Sequence, residues 1–222
     1  MNRPFHRHTS FAAAVILGLV TTKAASAQTP AARFVDSARV EIDRAVHDMD
    51  SNRLDGVRVL LDRALAAFPD DAYLLHYRGL TAYWQVVGLV MGGNKEQAAP
   101  IVSQGLDDLK GAERLSWPET IQLEAALNGF RIMLEPGLGP TLGPLTARLS
   151  AEAAKMGPEN PRVFLLQAYL AESTPEAMGG GKERARMLVT KALSLFDKDH
   201  PTPLAPSWGR EEAQTMVRRL TK

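Results

Sequence analysis

Apolar residues along this chain recur every three to four positions, in stretches separated by short runs rich in Gly, Pro, Asp and Asn. Phe34 to Met49 carries Val35, Ala38, Ile42, Ala45, Val46 and Met49 on one stripe, and Asp50-Ser51-Asn52 reads as a turn. Leu54 to Phe68 repeats the pattern, and Pro69 ends it. Asp70 and Asp71 are placed to cap a helix from about Ala72 to Val87, because a side-chain oxygen there satisfies free amides of the first turn. Further helices are predicted from Lys95 to about Leu115, and from a Ser116-Trp117-Pro118 start to Leu134, with Ser116 as the cap. Glu135 to Pro140 is read as non-helical, spaced as it is by Gly and Pro. Helices then follow over about 142–156, 162–172 and 182–196. A proline-rich connection at 200–206 leads to a last helix that ends near Leu220. No stretch alternates with a period of two, so the expectation is all-α: four helix pairs and a terminal capping helix.

One segment occurs twice. Met91-Gly92-Gly93-Asn94-Lys95-Glu96-Gln97-Ala98 returns 87 residues later as Met178-Gly179-Gly180-Gly181-Lys182-Glu183-Arg184-Ala185. Ile101, Val102, Gly105, Leu106 and Leu109 then align with Leu188, Val189, Ala192, Leu193 and Phe196. Self-similarity on this scale indicates stacked repeats. The second helices of the pairs also share a spacing of small or branched residues. It reads Val57-x3-Leu61-x2-Ala64, Ala98-x3-Val102-x2-Gly105, Ala147-x3-Ala151-x2-Ala154 and Ala185-x3-Val189-x2-Ala192.

That spacing resembles the second helix of the tetratricopeptide repeat, whose small residues let two helices approach closely. Leu75-x2-Arg78-Gly79-x2-Ala82 is similar to that family's first helix, with Gly79 at its small position. The starts at 57, 98, 147 and 185 are spaced less regularly than the family's 34-residue period. A tetratricopeptide-like α-solenoid over residues 28–222 is therefore the expected fold. Similar arrays with Gly-Gly loops occur in exported bacterial proteins, including solute-binding accessory subunits of transporters.

Composition adds an address. Arg3 and Arg7 precede an apolar run from Phe11 to Val20, and Ala25-Ser26-Ala27 fits a small-x-small cleavage site. The run is too short to span a bilayer, which needs about 20 apolar residues. Residues 1–27 are thus expected to be a cleaved signal peptide, giving a periplasmic protein, with secretion as the alternative. Removing Arg3, Arg7 and Lys23 and no acid leaves 23 basic against 25 acidic residues, a net charge of −2. A nucleic-acid partner, which would call for a basic stripe, is not expected. The chain has no cysteine, which excludes disulfides, thiol catalysis and thiolate metal sites.

Gly179-Gly180-Gly181-Lys182 superficially suggests a phosphate loop, but Glu176 and Glu183 stand where that motif needs Gly and Ser or Thr. A turn with positive φ is the preferred reading, and Gly92-Gly93 repeats it. His47, His76 and His200 have no metal-ligand spacing, so no metal and no cofactor are expected. Trp117 and Trp208, each beside Pro or Gly at a helix start, read as staples between helices. In tetratricopeptide arrays the first helices line a concave groove. The resemblance then places Tyr73, His76, Tyr83 and Trp84 on that groove. With them come Glu124, Asn128 and Arg131 in the third pair and Arg162 and Tyr169 in the fourth. Packing of Tyr83 and Trp84 beneath the loop at 88–94 is the competing reading. The function expected is non-enzymatic: a scaffold holding a protein or peptide in the groove. The alternative is a small-molecule binder in which the insertions after Trp84 and Ser173 close the groove into a pocket.

Overall fold

The computed structural model describes residues 30–48 and 50–221, so the expected leader and Met49 lie outside the described residues. Among those residues stand nine α-helices and no strand: α1 (Ala32–Asp48), α2 (Ser51–Ala67), α3 (Ala72–Met91), α4 (Lys95–Ala112), α5 (Pro118–Leu134), α6 (Gly139–Met156), α7 (Pro161–Ser173), α8 (Lys182–Phe196) and α9 (Arg210–Leu220). The fold is all-α. No helix among the described residues is long and apolar enough to cross a membrane.

The helix starts follow capping chemistry. Asp71 accepts from the amides of Tyr73 at 3.0 Å and Leu74 at 3.1 Å, and Asp50 accepts from that of Arg53 at 3.1 Å. Three boundaries differ from the sequence expectation. Trp117, not Ser116, is the cap of α5, because Ser116 takes a left-handed φ of 52° after a 3-10 turn at Glu113–Leu115. Helix α6 begins at Gly139 rather than near 142, with Pro140 in its first turn, where a missing amide costs no hydrogen bond. Helix α3 runs one turn beyond Val87, to Met91. That turn matters for the site below.

Packing is strongest within pairs: α3 on α4, α5 on α6 and α7 on α8. Small residues set the close approach. A Cβ on Gly105 would lie 2.9 Å from both the Ala82 Cβ and the Leu127 Cδ1, and one on Gly79 would meet Leu109 at 2.6 Å. In α2, α4 and α8 the residues of the shared spacing are all buried. In α6 the register is shifted by one: Thr146 and Ala153 are buried, whereas Ala147 and Ala151 are exposed. The reason is polar. Gln167 of α7 donates to the Ser150 carbonyl at 2.7 Å and to Gln122 of α5 at 3.0 Å, so Ser150 faces the partner helices. Arg78 joins three helices, donating to Asp108 at 2.8 Å and to Asp62 at 2.9 Å.

The chain then turns back on itself. Between α8 and α9 it runs across the inner side of α3, where the Tyr77 hydroxyl donates to the Leu204 carbonyl at 3.0 Å. Ser207 donates to Asp43 of α1 at 3.1 Å, and Trp208 is buried against Trp84. Gly209, with φ 114°, lies so close to Phe196 that a Cβ would stand 2.7 Å from its ring.

Candidate functional site

The C-terminal halves of α3, α5 and α7 face a shared cavity of about 880 Å³. From α3 come Tyr83, Trp84, Val87, Val90 and Met91; the last two lie on the extra turn of that helix. Phe130 and Met133 come from α5, and Tyr169 and Leu170 from α7. The opposite side is built by Val46 and His47 of α1, Leu54 of α2, and Glu212, Thr215, Met216 and Arg218 of α9.

The aromatic wall is one connected set. Tyr83 stands edge-on to Trp84, with ring centroids 5.1 Å apart, and lies 5.8 Å from Phe130. Trp84 meets Tyr169 at 6.2 Å and Trp208 at 5.4 Å, both edge-to-face. Rings that lock one another in this way form a rigid apolar surface.

The charges collect on the α9 side. His47 Nδ1 lies 2.5 Å from Glu211, and Arg219 is paired through both nitrogens with Glu172. Arg218 is exposed and donates to Thr215 Oγ1 at 2.9 Å. Burial, reinforced by the like charges of Glu211 and Asp43, pushes the Glu212 carboxyl above its ordinary range. Burial also pushes the Tyr83 and Tyr169 hydroxyls up, so both are neutral hydrogen-bond donors at neutral pH.

Of the nine residues expected on a groove, Tyr83, Trp84 and Tyr169 line this cavity and the other six do not. His76 is fully buried, its Nδ1 2.9 Å from Thr120 Oγ1, and burial lowers its pKa to about 3. Tyr73 packs at 5.3 Å and His76 at 5.0 Å against Trp117, which staples α3 to α5. Asn128 is buried and donates to the Glu124 carbonyl at 3.0 Å, while Arg131 rests on Asn128 at 3.5 Å. Arg162 is buried in an ion pair with Asp199 at 2.6 Å. The aromatic residues of α3 thus divide: Tyr83 and Trp84 line the cavity, whereas Tyr73 and His76 pack against Trp117.

Sequence reasoning missed the whole opposite side, with His47, Glu212, Met216 and Arg218, and also Phe130 and Met133 of α5. The local pattern of α9 suggests no more than a terminal capping helix. The proline-rich stretch at 200–206 held a signal, since a short extended connection can carry the next helix back over the array. The glycine loops lie apart from this chemistry. Gly93, Gly179 and Gly181 have positive φ, whereas Gly92 has φ −77°; Gly180 is confined by the Thr174 carbonyl.

No protein-family model and no curated protein matches the chain. A solved structure does: the HusA haemophore from Porphyromonas gingivalis, with a TM-score of 0.68 and 22% identity. The likeness covers 84% of this chain and 92% of that one. The two share a fold. The tetratricopeptide likeness rests on the helix pairs and their small-residue contacts alone.

Proposed function

We propose that this chain is a non-enzymatic binding protein that holds a large, apolar small molecule in the cavity between α3, α5, α7 and α9. The observation that carries this reading is the cavity itself. Its volume of about 880 Å³ falls within the roughly 300–1,000 Å³ of small-molecule sites, and it has the expected mix of aromatic and aliphatic walls with a few polar groups. A tetrapyrrole such as haem is the first candidate. Its flat ring suits the wall of Tyr83, Trp84, Phe130 and Tyr169, and its edge carboxylates suit Arg218 at the rim. The shared fold with a protein named as a haemophore adds to that choice.

A peptide-holding scaffold is the weaker reading. It needs a continuous open groove, and the stretch from Leu204 to Trp208 takes up the inner side of α3. Export fits a carrier of this kind, with residues 1–27 removed and 28–222 forming one helical domain.

Titration of the purified protein with ferric protoporphyrin tests the proposal. The expected result is saturable one-to-one binding, seen as a shift of the Soret band and quenching of tryptophan fluorescence. Val87→Asp, which sets a charge on the cavity wall, should abolish it while leaving the helical circular dichroism intact. Absence of saturable binding, or binding indifferent to that charge, would refute the reading.

A further inference from the structure

Glu212 stands apart from the other charges around the cavity. Arg219 is clamped by Glu172, Glu211 meets His47, and Arg218 is open to water. Glu212 is half-buried and has no cationic partner among the described residues. The charges of Glu211 and Asp43 that act on it have its own sign, and what favours its ionised form is the backbone amides of Gly209 and of Glu212 itself at the start of α9, not a cation. Beside it lies Tyr169, whose ionisation its charge opposes. Beyond stands Tyr83, 2% exposed, whose hydroxyl makes no hydrogen bond to the described residues. A carboxylate taken partly out of water against apolar walls is costly unless a positive charge meets it. The faces of Trp84, Tyr83 and Tyr169 favour a positive charge as well.

We infer that the ligand carries a positive centre within its apolar body, a chelated metal ion or a protonated nitrogen, and that Glu212 meets that centre. The inference rests on the small-molecule reading above and adds to it the ligand's charge. Tyr169 stands beside the carboxylate as a neutral donor that can hold it in place, with Tyr83 behind it. Arg218 lies six residues further along α9, about 9 Å at the helical rise, and receives a negative group at the ligand's edge. The two ends of α9 thus read two features of one molecule: a positive centre and an anionic rim.

Three probes test this on the mature chain and on Glu212→Gln, with folding checked by thermal melting. They are ferric protoporphyrin, the same ring without metal, and the aromatic cation acridine orange. Ferric binding at least tenfold tighter than metal-free binding, with the preference lost in E212Q, supports a metal centre. At least tenfold weakening of acridine orange in E212Q, without a metal preference, supports a protonated nitrogen. Affinities for all three left unchanged by E212Q overturn the inference and leave the cavity reading standing. Failure of all three to bind the unmodified chain overturns the cavity reading, and the inference falls with it.

Discussion

The indole of Trp84 meets that of Trp208 edge-to-face, with centroids 5.4 Å apart and planes at 88°. One belongs to a first helix of the array and the other to the segment returning from α8. This contact turns an inner face into a closed wall. It also carries the rigid aromatic set of Tyr83, Phe130 and Tyr169 over to the side from which α9 approaches.

Truncating that contact should therefore loosen α9 and weaken the site together. Trp208 is 4% exposed, and Trp208→Ala is expected to cost about 3–5 kcal/mol, as large buried aromatics do. Denaturant unfolding checks the stability. Binding of a hydrophobic dye should rise, because the apolar wall behind Trp208 opens to water.

His76 should make the fold sensitive to acid. Burial lowers its folded pKa to about 3, whereas the unfolded side chain titrates near 6.5. Between those values the unfolded chain binds a proton that the folded chain refuses, so this contribution is full at neutral pH and is lost as pH falls through 6.5. From pH 7 to pH 5 the loss is about 2 kcal/mol. Denaturant midpoints of the natural chain and of His76→Asn should differ by a pH-dependent amount of that size. The carboxyls of Asp43, Asp108 and Glu124, which burial pushes up, act with the opposite sign, but they are common to both proteins and cancel in the difference.

Gly105→Ala should destabilise although alanine is the better helix former by about 1 kcal/mol. Its Cβ would stand 2.9 Å from that of Ala82, which cannot rotate away, so α3 and α4 must separate. A net loss of about 1–3 kcal/mol is expected from overpacking. A rise in melting temperature would refute the close-approach account of the small residues.

Asp199→Ala should cost about 3–5 kcal/mol, because it takes from Arg162, a side chain 2% exposed, its one hydrogen-bonded carboxylate among the described residues and leaves only Glu119 at 4.0 Å. Replacing both by leucine should restore only part of that. Glu119, 4.0 Å from the same guanidinium, is then left buried without its cation. Thermal melts of the three proteins check the order.

Local pattern accounts for the helices. Periodicity located all nine among the described residues, since each stripe must be buried and the stripe's period is the helix's own. Asp71 as a cap, Trp117 as a staple and the spacing in α2, α4 and α8 were legible for the same local reason. In α6, alanines at 147, 151 and 154 offered the same spacing as their neighbours Thr146, Ser150 and Ala153. The hydrogen bonds of Gln167 and Gln122, contributed by other helices, decided between the two. The cavity, by contrast, is a product of long-range packing. Tyr73 and Tyr83 lie ten residues apart on one aromatic helix, yet Tyr73 is half-buried against Trp117, away from the cavity, whereas Tyr83 is buried in the aromatic set behind its wall. Glu212 and Arg218 read locally as polar residues on a terminal helix. They reach the cavity because the Leu204–Trp208 segment, tied to Tyr77 and Trp84 more than a hundred residues earlier, folds α9 over it. Contacts at that sequence separation leave no periodic trace in the chain.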